Sequence, residues 1–261
     1  MNHYSRRFKR CLSLLALCAA FNGLVWSAEP KPDAIRQALA SMPIPAAAKA
    51  AIQARIDATP KQFTQGLALA LADRASDPML LYRVDKAKAL PSGYAPADLI
   101  ALEGSEVAQS RSGHRLRNAA LRALEAMDRA AKEDGVSLLV SSSYRSYDYQ
   151  VEVWNRTLAT DGKAETETSV ARPGHSQHQL GTAVDFGSIT DAFAQTKAGR
   201  WLSANARRFG FSLSFPKDMS EITGYKWESW HYRYIGVAAA ALEKEYFGGV
   251  QQYLMLFLDA L

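Results

Sequence analysis

The sequence predicts an α+β fold, with a small, mostly antiparallel sheet flanked by helices and a helical N-terminal extension. Three observations predict this class. Helical and strand-like segments are both present, but they do not alternate regularly as in a parallel α/β protein. Residues 31 to about 75 are rich in alanine and poor in β-branched runs. The 261 residues are enough for one substantial domain with a smaller appendage.

The N-terminus has the pattern of an export signal. The basic stretch "MNHYSRRFKR" is followed by "CLSLLALCAAFNGLVW", a largely apolar run of sixteen residues. This run is shorter than the ~20 residues of a spanning helix, and no stop-transfer pattern follows it. We expect a signal peptide over residues 1–28, cleaved after Ser27 or Ala28. The mature protein would then lie in the periplasm or cell envelope without stable membrane insertion. An uncleaved anchor is the alternative.

The positions of the cysteines and charges exclude several function classes. Cys11 and Cys18 both lie in the predicted signal, so the exported chain would have neither a catalytic thiolate nor a cysteine-based zinc site. Four of the 31 basic residues lie there too, leaving 27 basic against 26 acidic side chains in the body. A nearly neutral body lacks the basic footprint of a nucleic-acid-binding protein, and we expect no such partner.

Residues 29–76 are predicted to form the helical extension. The three stretches "DAIRQALASM", "AAAKAAIQARIDA" and "PKQFTQGLALALADRA" each have helical patterning, and Pro60 suits a first helical position. None of them carries an obvious catalytic pattern. We therefore expect a packing or positioning role for this extension and place the main domain at residues 77–261.

The main domain is predicted to begin with a strand over Leu80–Val84, followed by a Pro/Gly loop and a short segment ending near Leu102. The stretch "LRNAALRALEAMDRAAKEDG" is amphipathic, with Leu116 on its apolar face and Gly135 just past its end. The remaining predicted strands are "VSLLVSSSYR", "GTAVDFG", "FSLSF" and "WESWHYRYIG". The remaining predicted helices are "YDYQVEVWNRTLA", "AGRWLSANARRFG" and C-terminal pieces interrupted at Gly248 and Gly249.

Two motifs together contain the parts of a hydrolytic metal site. "GHSQHQLGTAVDFG" places His178 seven residues before Asp185, with Gly181 allowing a close backbone approach to the site. "WESWHYRY" adds Glu228 and His231. Such a site needs three protein ligands, an open position for water and a non-ligating carboxylate as base. The two histidines and Asp185 are therefore candidate ligands, and Glu228 is a candidate base. The alternative is that these side chains only satisfy one another in the core.

Two further features concern geometry and substrate binding. In a regular strand Glu228 and His231 would point to opposite faces, so the pair requires a bend or bulge at Ser229. Arg145, in "SSSYRSYDYQ", lies at a predicted strand–helix junction, where it could face a substrate carboxylate or a polarised carbonyl. Gln150, one turn later, could donate to the same ligand. A surface ion pair is the alternative for Arg145.

The stretches "SSSYRSYDYQ", "PGHSQHQLGTAVDFG" and "WESWHYRYIG", in this order, resemble the VanY-type D-alanyl-D-alanine carboxypeptidase family. These are zinc-dependent peptidases of bacterial cell-wall peptides, and the resemblance runs from about Met79 to the C-terminus. The central pattern SxHxxGxAxD is met by Ser176, His178, Gly181, Ala183 and Asp185.

The resemblance implies specific roles. The Zn²⁺ ligands would be His178, Asp185 and His231, with Glu228 as general base. Arg145 would contact the substrate and stabilise the oxyanion, and Ser176 and Gln150 would hold the terminal region of the peptide. The implied reaction is D,D-carboxypeptidase hydrolysis of the terminal D-Ala-D-Ala bond of peptidoglycan stem peptides. An L,D-carboxypeptidase, an endopeptidase on the same peptides and a non-catalytic wall-binding module stay as alternatives.

Two residues depart from the family pattern. Family members often have glutamate where this chain has Gln177, and proline where it has Ser229. Neither change removes an implied ligand or the base. His175, three residues before His178, is expected not to be a ligand, because catalytic zinc usually keeps its fourth position for water.

Overall fold

The computed structural model describes residues 30–261. The predicted signal peptide over 1–28 and its cleavage sites lie outside these residues. The helices of the described part are α1 Pro32–Ser41, α2 Ala46–Ala58, α3 Pro60–Ser76, α4 Asn118–Glu133, α5 Tyr147–Ser169, α6 Lys197–Asn205, α7 Ser220–Thr223, α8 Val237–Glu245 and α9 Gln251–Ala260. The strands are β1 Leu99–Ala101, β2 Ala108–Gln109, β3 Arg115–Arg117, β4 Leu139–Ser142, β5 Ala183–Phe186, β6 Phe211–Leu213 and β7 His231–Tyr234.

Five strands form one sheet in the order β2-β4-β5-β7-β6. The β2–β4 pair is parallel and the other three pairs are antiparallel, while β1 and β3 form a separate antiparallel pair. This architecture confirms the predicted α+β class with a mostly antiparallel sheet. None of the helices in residues 30–261 is long and apolar enough to span a bilayer.

One face of the sheet packs against α4. Leu124 and Met127 of this helix are fully buried in a cluster with Val184 and Phe186 of β5. Because side chains alternate along a strand, Ala183 and Asp185 point to the opposite face. The sheet thus has an apolar face under α4 and a face on which polar side chains collect.

The predicted N-terminal helices are confirmed as α1, α2 and α3, and they pack against the C-terminal helices. Phe63 of α3 is fully buried, with its ring centroid 4.9 Å from that of Tyr246 and 6.0 Å from that of Phe257. The shared cluster also includes Leu80, close to the predicted boundary at residues 76 and 77. The extension is therefore part of one apolar core with α8 and α9.

The predicted strand over Leu80–Val84 is wrong. Asp77 Oδ1 accepts hydrogen bonds from the backbone N–H groups of Met79 and Leu80, which folds this segment into a turn. The carbonyls of Leu80 and Tyr82 each accept a bond of 2.9 Å from the buried guanidinium of Arg233. These carbonyls bond a side chain in place of a neighbouring strand.

Two helix boundaries differ from the prediction. Leu116 lies in β3, opposite Ile100, and α4 begins only at Asn118. Leu116 still joins the cluster under α4, which explains why its apolar character fits the helical pattern. Helix α5 runs well past its predicted end, with a kink at Gly162.

Phe63→Ala should lower the free energy of unfolding by about 3–5 kcal/mol, because it removes a fully buried ring from the core shared by both ends of the chain. Leu69→Ala in the same helix is the matched control: Leu69 is 63% exposed, and its loss should cost little. Urea unfolding of both variants measures the difference. Equal effects would mean that the extension does not share a core with the domain.

Candidate active site

Strand pairing brings two of the predicted ligands together. Asp185 on β5 lies directly opposite His231 on β7, so their side chains are neighbours on one face of the sheet. His178 comes from a 3-10 turn, Gln177–Leu180, that directly precedes β5. The structure therefore collects all three predicted ligands at one point.

The turn ends at Gly181, which has a left-handed φ of 72°. A Cβ atom there would lie 2.8 Å from Cγ of Arg117 and 3.0 Å from Cδ2 of Leu99. Glycine is required by this conformation and by the close approach to β1 and β3. The sequence predicted this close approach at the metal site, and the structure places it at the β1–β3 pair.

The three candidate ligands are buried and in contact. The Nε2 atom of His178 lies 3.2 Å from Oδ2 of Asp185, and Nδ1 of His231 lies 3.0 Å from Oδ1 of the same carboxylate. The ligand atoms of the set all lie within 4.8 Å of one another, and each side chain is at most 6% exposed. Such a spacing leaves room for one ion between them.

Hydrogen bonds behind the imidazoles fix which nitrogen faces the centre. Nδ1 of His178 lies 2.6 Å from the carbonyl of Ser143, and Nε2 of His231 lies 3.2 Å from Oε1 of Gln177. Both oxygens only accept, so these nitrogens carry protons, and the other nitrogen of each ring faces Asp185. Within residues 30–261, Nε2 of His178 and Oδ1 of Asp185 are buried without a hydrogen-bond partner. Two nitrogen lone pairs and a carboxylate fit Zn²⁺.

The protonation states also suit a cation. Burial, with a contribution from the Arg145 charge, lowers the pKa of His178 to about 4, so its imidazole is neutral at neutral pH. Burial acts to raise the pKa of Asp185, but His178 and His231 outweigh it and hold that pKa well below its ordinary value. Metal ligands must be deprotonated, and the low pKa values of His178 and Asp185 agree with this requirement.

Glu228 reaches the same centre because the chain turns before β7 begins. The backbone N–H of His231 donates to the carbonyl of Glu228 at 3.3 Å, and the strand starts only at His231. This turn is the bend predicted at Ser229. Oε2 of Glu228 lies 3.4 Å from Nδ1 of His231. Burial, with a contribution from Asp185, raises the pKa of Glu228 well above its ordinary value. A carboxyl group tuned in this way can both accept and donate a proton.

Arg145 faces the centre from the junction between β4 and α5. Its backbone N–H donates to the carbonyl of His178 at 3.3 Å, which ties the junction to the turn that carries this ligand. Burial lowers the pKa of Arg145, and the charges of Asp185 and Glu228 oppose this shift, so the guanidinium is a cation. Its Nε has no hydrogen-bond partner among the described residues, and it makes no ion pair there.

The other predicted site residues lie near the centre in different roles. Ser176 is 2% exposed, and its Oγ accepts from the N–H of His178 and so caps the turn. Gln150 is fully buried, and its amide donates 2.7 Å to the carbonyl of Ala171, in the wall of the cleft. Their contacts with a peptide stay predictions. His175 lies outside the ligand set, with Nδ1 2.7 Å from the carbonyl of Asp85.

The cleft beside this centre also contains residues that sequence reasoning missed. They come from the segment after α3, from the loops that follow β6 and α7, and from α9: Asp85, Phe215, Tyr225 and Gln252. Asp85 accepts bonds from Arg83 and Gln252, both at 2.6 Å, and from two backbone N–H groups. This carboxylate therefore connects its own turn to α9 in the wall of the cleft. No motif marks these residues, because they meet only through tertiary packing.

Comparisons with known proteins agree with this geometry. The sequence profile of the family described as VanY, D-alanyl-D-alanine carboxypeptidase, matches residues 113–237. A D-alanyl-D-alanine carboxypeptidase of Enterococcus faecalis (strain ATCC 700802 / V583) is 43% identical over 120 residues, 42% of this chain and 45% of that protein. YodJ of Bacillus subtilis (strain 168) is 37% identical over 168 residues, 62% of each chain. The chain thus spans less than two thirds of these relatives.

Solved structures match with higher coverage. The LdcB LD-carboxypeptidase is 35% identical with a TM-score of 0.60, covering 67% of this chain and 88% of that one. A vancomycin resistance D,D-pentapeptidase VanY, solved in complex with Zn(II), is 35% identical with a TM-score of 0.54, covering 67% and 99%.

These similarities cover the segment that supplies all three candidate ligands, Glu228 and Arg145. The zinc in the VanY structure agrees with the donor set found here. The chain therefore belongs to the VanY family of zinc-dependent D-alanyl-D-alanine carboxypeptidases.

Proposed function

We propose that this protein is a zinc-dependent D,D-carboxypeptidase that hydrolyses the terminal D-Ala-D-Ala bond of peptidoglycan stem peptides. The observation that carries the proposal is the convergence of Glu228 and Arg145 on the buried set His178, Asp185 and His231 at one cleft. The set has the three ligands, the free carboxyl group and the cation that such a hydrolysis needs. The complete set argues against a non-catalytic wall-binding module.

The mechanism assigns separate tasks to the side chains. Zinc, held by His178, Asp185 and His231, would supply Lewis-acid activation of water and of the scissile carbonyl. Glu228 takes the proton from the attacking water and later delivers it to the leaving amine of the released D-alanine. Its raised pKa makes it a stronger base than an ordinary carboxylate, which suits the acceptance of a proton. Arg145 donates hydrogen bonds to the oxyanion that develops on the carbonyl.

Residues in the walls of the cleft would bind the terminal region of the peptide. Ser176 uses its oxygen as an acceptor for His178, so its hydroxyl hydrogen is available to a ligand in the cleft. Gln150 bonds the carbonyl of Ala171, in the segment Ser169–Ala171 that lines the cleft. An extended peptide beside this segment would find backbone donors and acceptors in addition to the side chains.

An L,D-carboxypeptidase is the second candidate. The observation in its favour is the similarity to the LdcB LD-carboxypeptidase, which has a TM-score of 0.60. Both candidates use the same zinc chemistry and differ in the peptide that the cleft accepts. Specificity between them depends on cleft contacts and not on the ligand set.

Offered penta-, tetra- and tripeptide muropeptides together, the zinc-loaded protein should release one D-alanine from the pentapeptide and leave the others intact. A chelator should abolish the release, and added zinc should restore it. Mass spectrometry of the digest measures each product. Trimming of the tetrapeptide alone would support the L,D candidate, and zinc binding without cleavage of any stem would support the wall-binding module.

Glu228→Gln should reduce turnover by about 10²–10⁴-fold, because the amide cannot accept the proton, while zinc binding should persist because Glu228 is not one of the three ligands. Glu221→Gln, at an exposed position on α7, is the matched control and should keep full activity. Rates from the muropeptide digest and zinc content by atomic absorption give the two readouts. Wild-type turnover in Glu228→Gln would remove this residue from the mechanism.

We also propose export to the periplasm or cell envelope, where these peptides occur. The pattern of residues 1–28 supports this proposal. The mature protein from a periplasmic fraction should begin at Ala28 or Glu29, as measured by N-terminal sequencing and intact mass. A protein that retains Met1 and sediments with membranes would support the uncleaved anchor instead.

A further inference from the structure

A buried network of amides lies behind His231, on the side away from Asp185. It consists of Gln177 from the 3-10 turn, Ser214 just after β6 and Gln251 at the start of α9, and we call it the amide network. These side chains are 8%, 2% and 2% exposed, so each needs a protein partner for its polar atoms. Gln251 lies beyond residues 113–237, the part of the chain that matches the family.

The contacts connect the network to the candidate ligand. Oε1 of Gln177 lies 3.2 Å from Nε2 of His231 and accepts a bond of 2.6 Å from the hydroxyl of Ser214. The amide nitrogen of Gln177 donates to Oε1 of Gln251 at 3.2 Å. The amide nitrogen of Gln251 donates to the Ser214 hydroxyl at 3.3 Å and to the backbone carbonyl of Ser212 at 3.4 Å.

One backbone carbonyl determines the direction of every bond in this network. The carbonyl of Ser212 only accepts, so Gln251 must present its NH₂ group there and its oxygen to Gln177. Gln177 must then present its own NH₂ group to Gln251 and its oxygen to His231. An oxygen at that position requires a proton on Nε2 of His231. The lone pair of this imidazole is thereby left on Nδ1, the atom that faces Asp185.

We propose that Gln251 is a positioning residue for the metal centre. Through Gln177 it fixes the Nε2–H tautomer of His231 and aims Nδ1 at the ion. The proposal rests on the metal centre of the proposed function, but it is independent of the substrate and of turnover. Helix α9 would then have two roles. Leu254 and Phe257 pack in the core shared with α1, α2 and α3, and Gln251 orients a metal ligand.

The test uses two nearly isosteric changes, Gln177→Met and Gln251→Met, which remove the amides and keep the volume. In the metal-free protein labelled with ¹⁵N-histidine, long-range ¹H–¹⁵N spectra should show a proton on Nε2 of His231, bonded to Gln177. Either change should lower the fraction of molecules with this proton and raise the fraction of the Nδ1–H tautomer. Zinc affinity from chelator competition should fall by about 10- to 100-fold for Gln177→Met and by less for Gln251→Met.

A double-mutant cycle tests the route. If Gln251 acts through Gln177, the double variant should bind zinc no more weakly than Gln177→Met alone. Tyr253→Phe is the control on the same helix: it removes one hydroxyl outside the network and should leave the tautomer and affinity unchanged. Thermal unfolding of each metal-free variant checks that it folds, and Gln251→Leu replaces Gln251→Met in the cycle if that variant does not.

Additive losses in the cycle, or an unchanged His231 tautomer in Gln177→Met, would overturn the proposal. Neither readout depends on hydrolysis. Failure of the muropeptide digest with an intact tautomer effect would therefore count against the proposed function and not against the network.

Discussion

The pairing of Asp185 with His231 across β5 and β7 is the contact on which the site depends. It places a carboxylate beside an imidazole on the polar face of a sheet whose other face is fixed by α4. The turn before β5 then adds His178, and the turn before β7 adds Glu228. A shift of the β5–β7 register by one residue would place Asp185 on the apolar face and remove the metal centre. The packing of α4 against the apolar face therefore stabilises the register that the site requires.

The helices at the two ends of the chain support this sheet from the other side. Helices α1, α2 and α3 share a core with α8 and α9, and α9 contributes both Gln251 to the amide network and Gln252 to a corner of the cleft. The buried guanidinium of Arg233 on β7 bonds the turn at Leu80 and Tyr82, which ties the strand of His231 to the segment after α3. The helical extension is thus connected to the site by polar contacts as well as by packing.

The sequence was sufficient for the fold class, for most of the helices apart from their ends, and for the candidate ligand set, because each has a local signal. Helical periodicity marked α4, and the spacing of His178 to Asp185 follows from one turn and one strand. It was not sufficient for the segment Leu80–Val84, where an aspartate turn and the buried Arg233, 153 residues after Leu80, override a β-like composition. Asp85 and Gln252 lie in no motif, since the contact between them joins distant parts of the chain.

Zinc-edge anomalous diffraction from crystals of the zinc-loaded protein tests the central claim most directly. The account predicts one strong peak within bonding distance of Nε2 of His178, Nδ1 of His231 and the carboxylate of Asp185, with Glu228 outside the coordination sphere. A peak bonded to Glu228 or Gln177 in place of one of these ligands would contradict it. So would a folded, zinc-treated protein with no peak at this position.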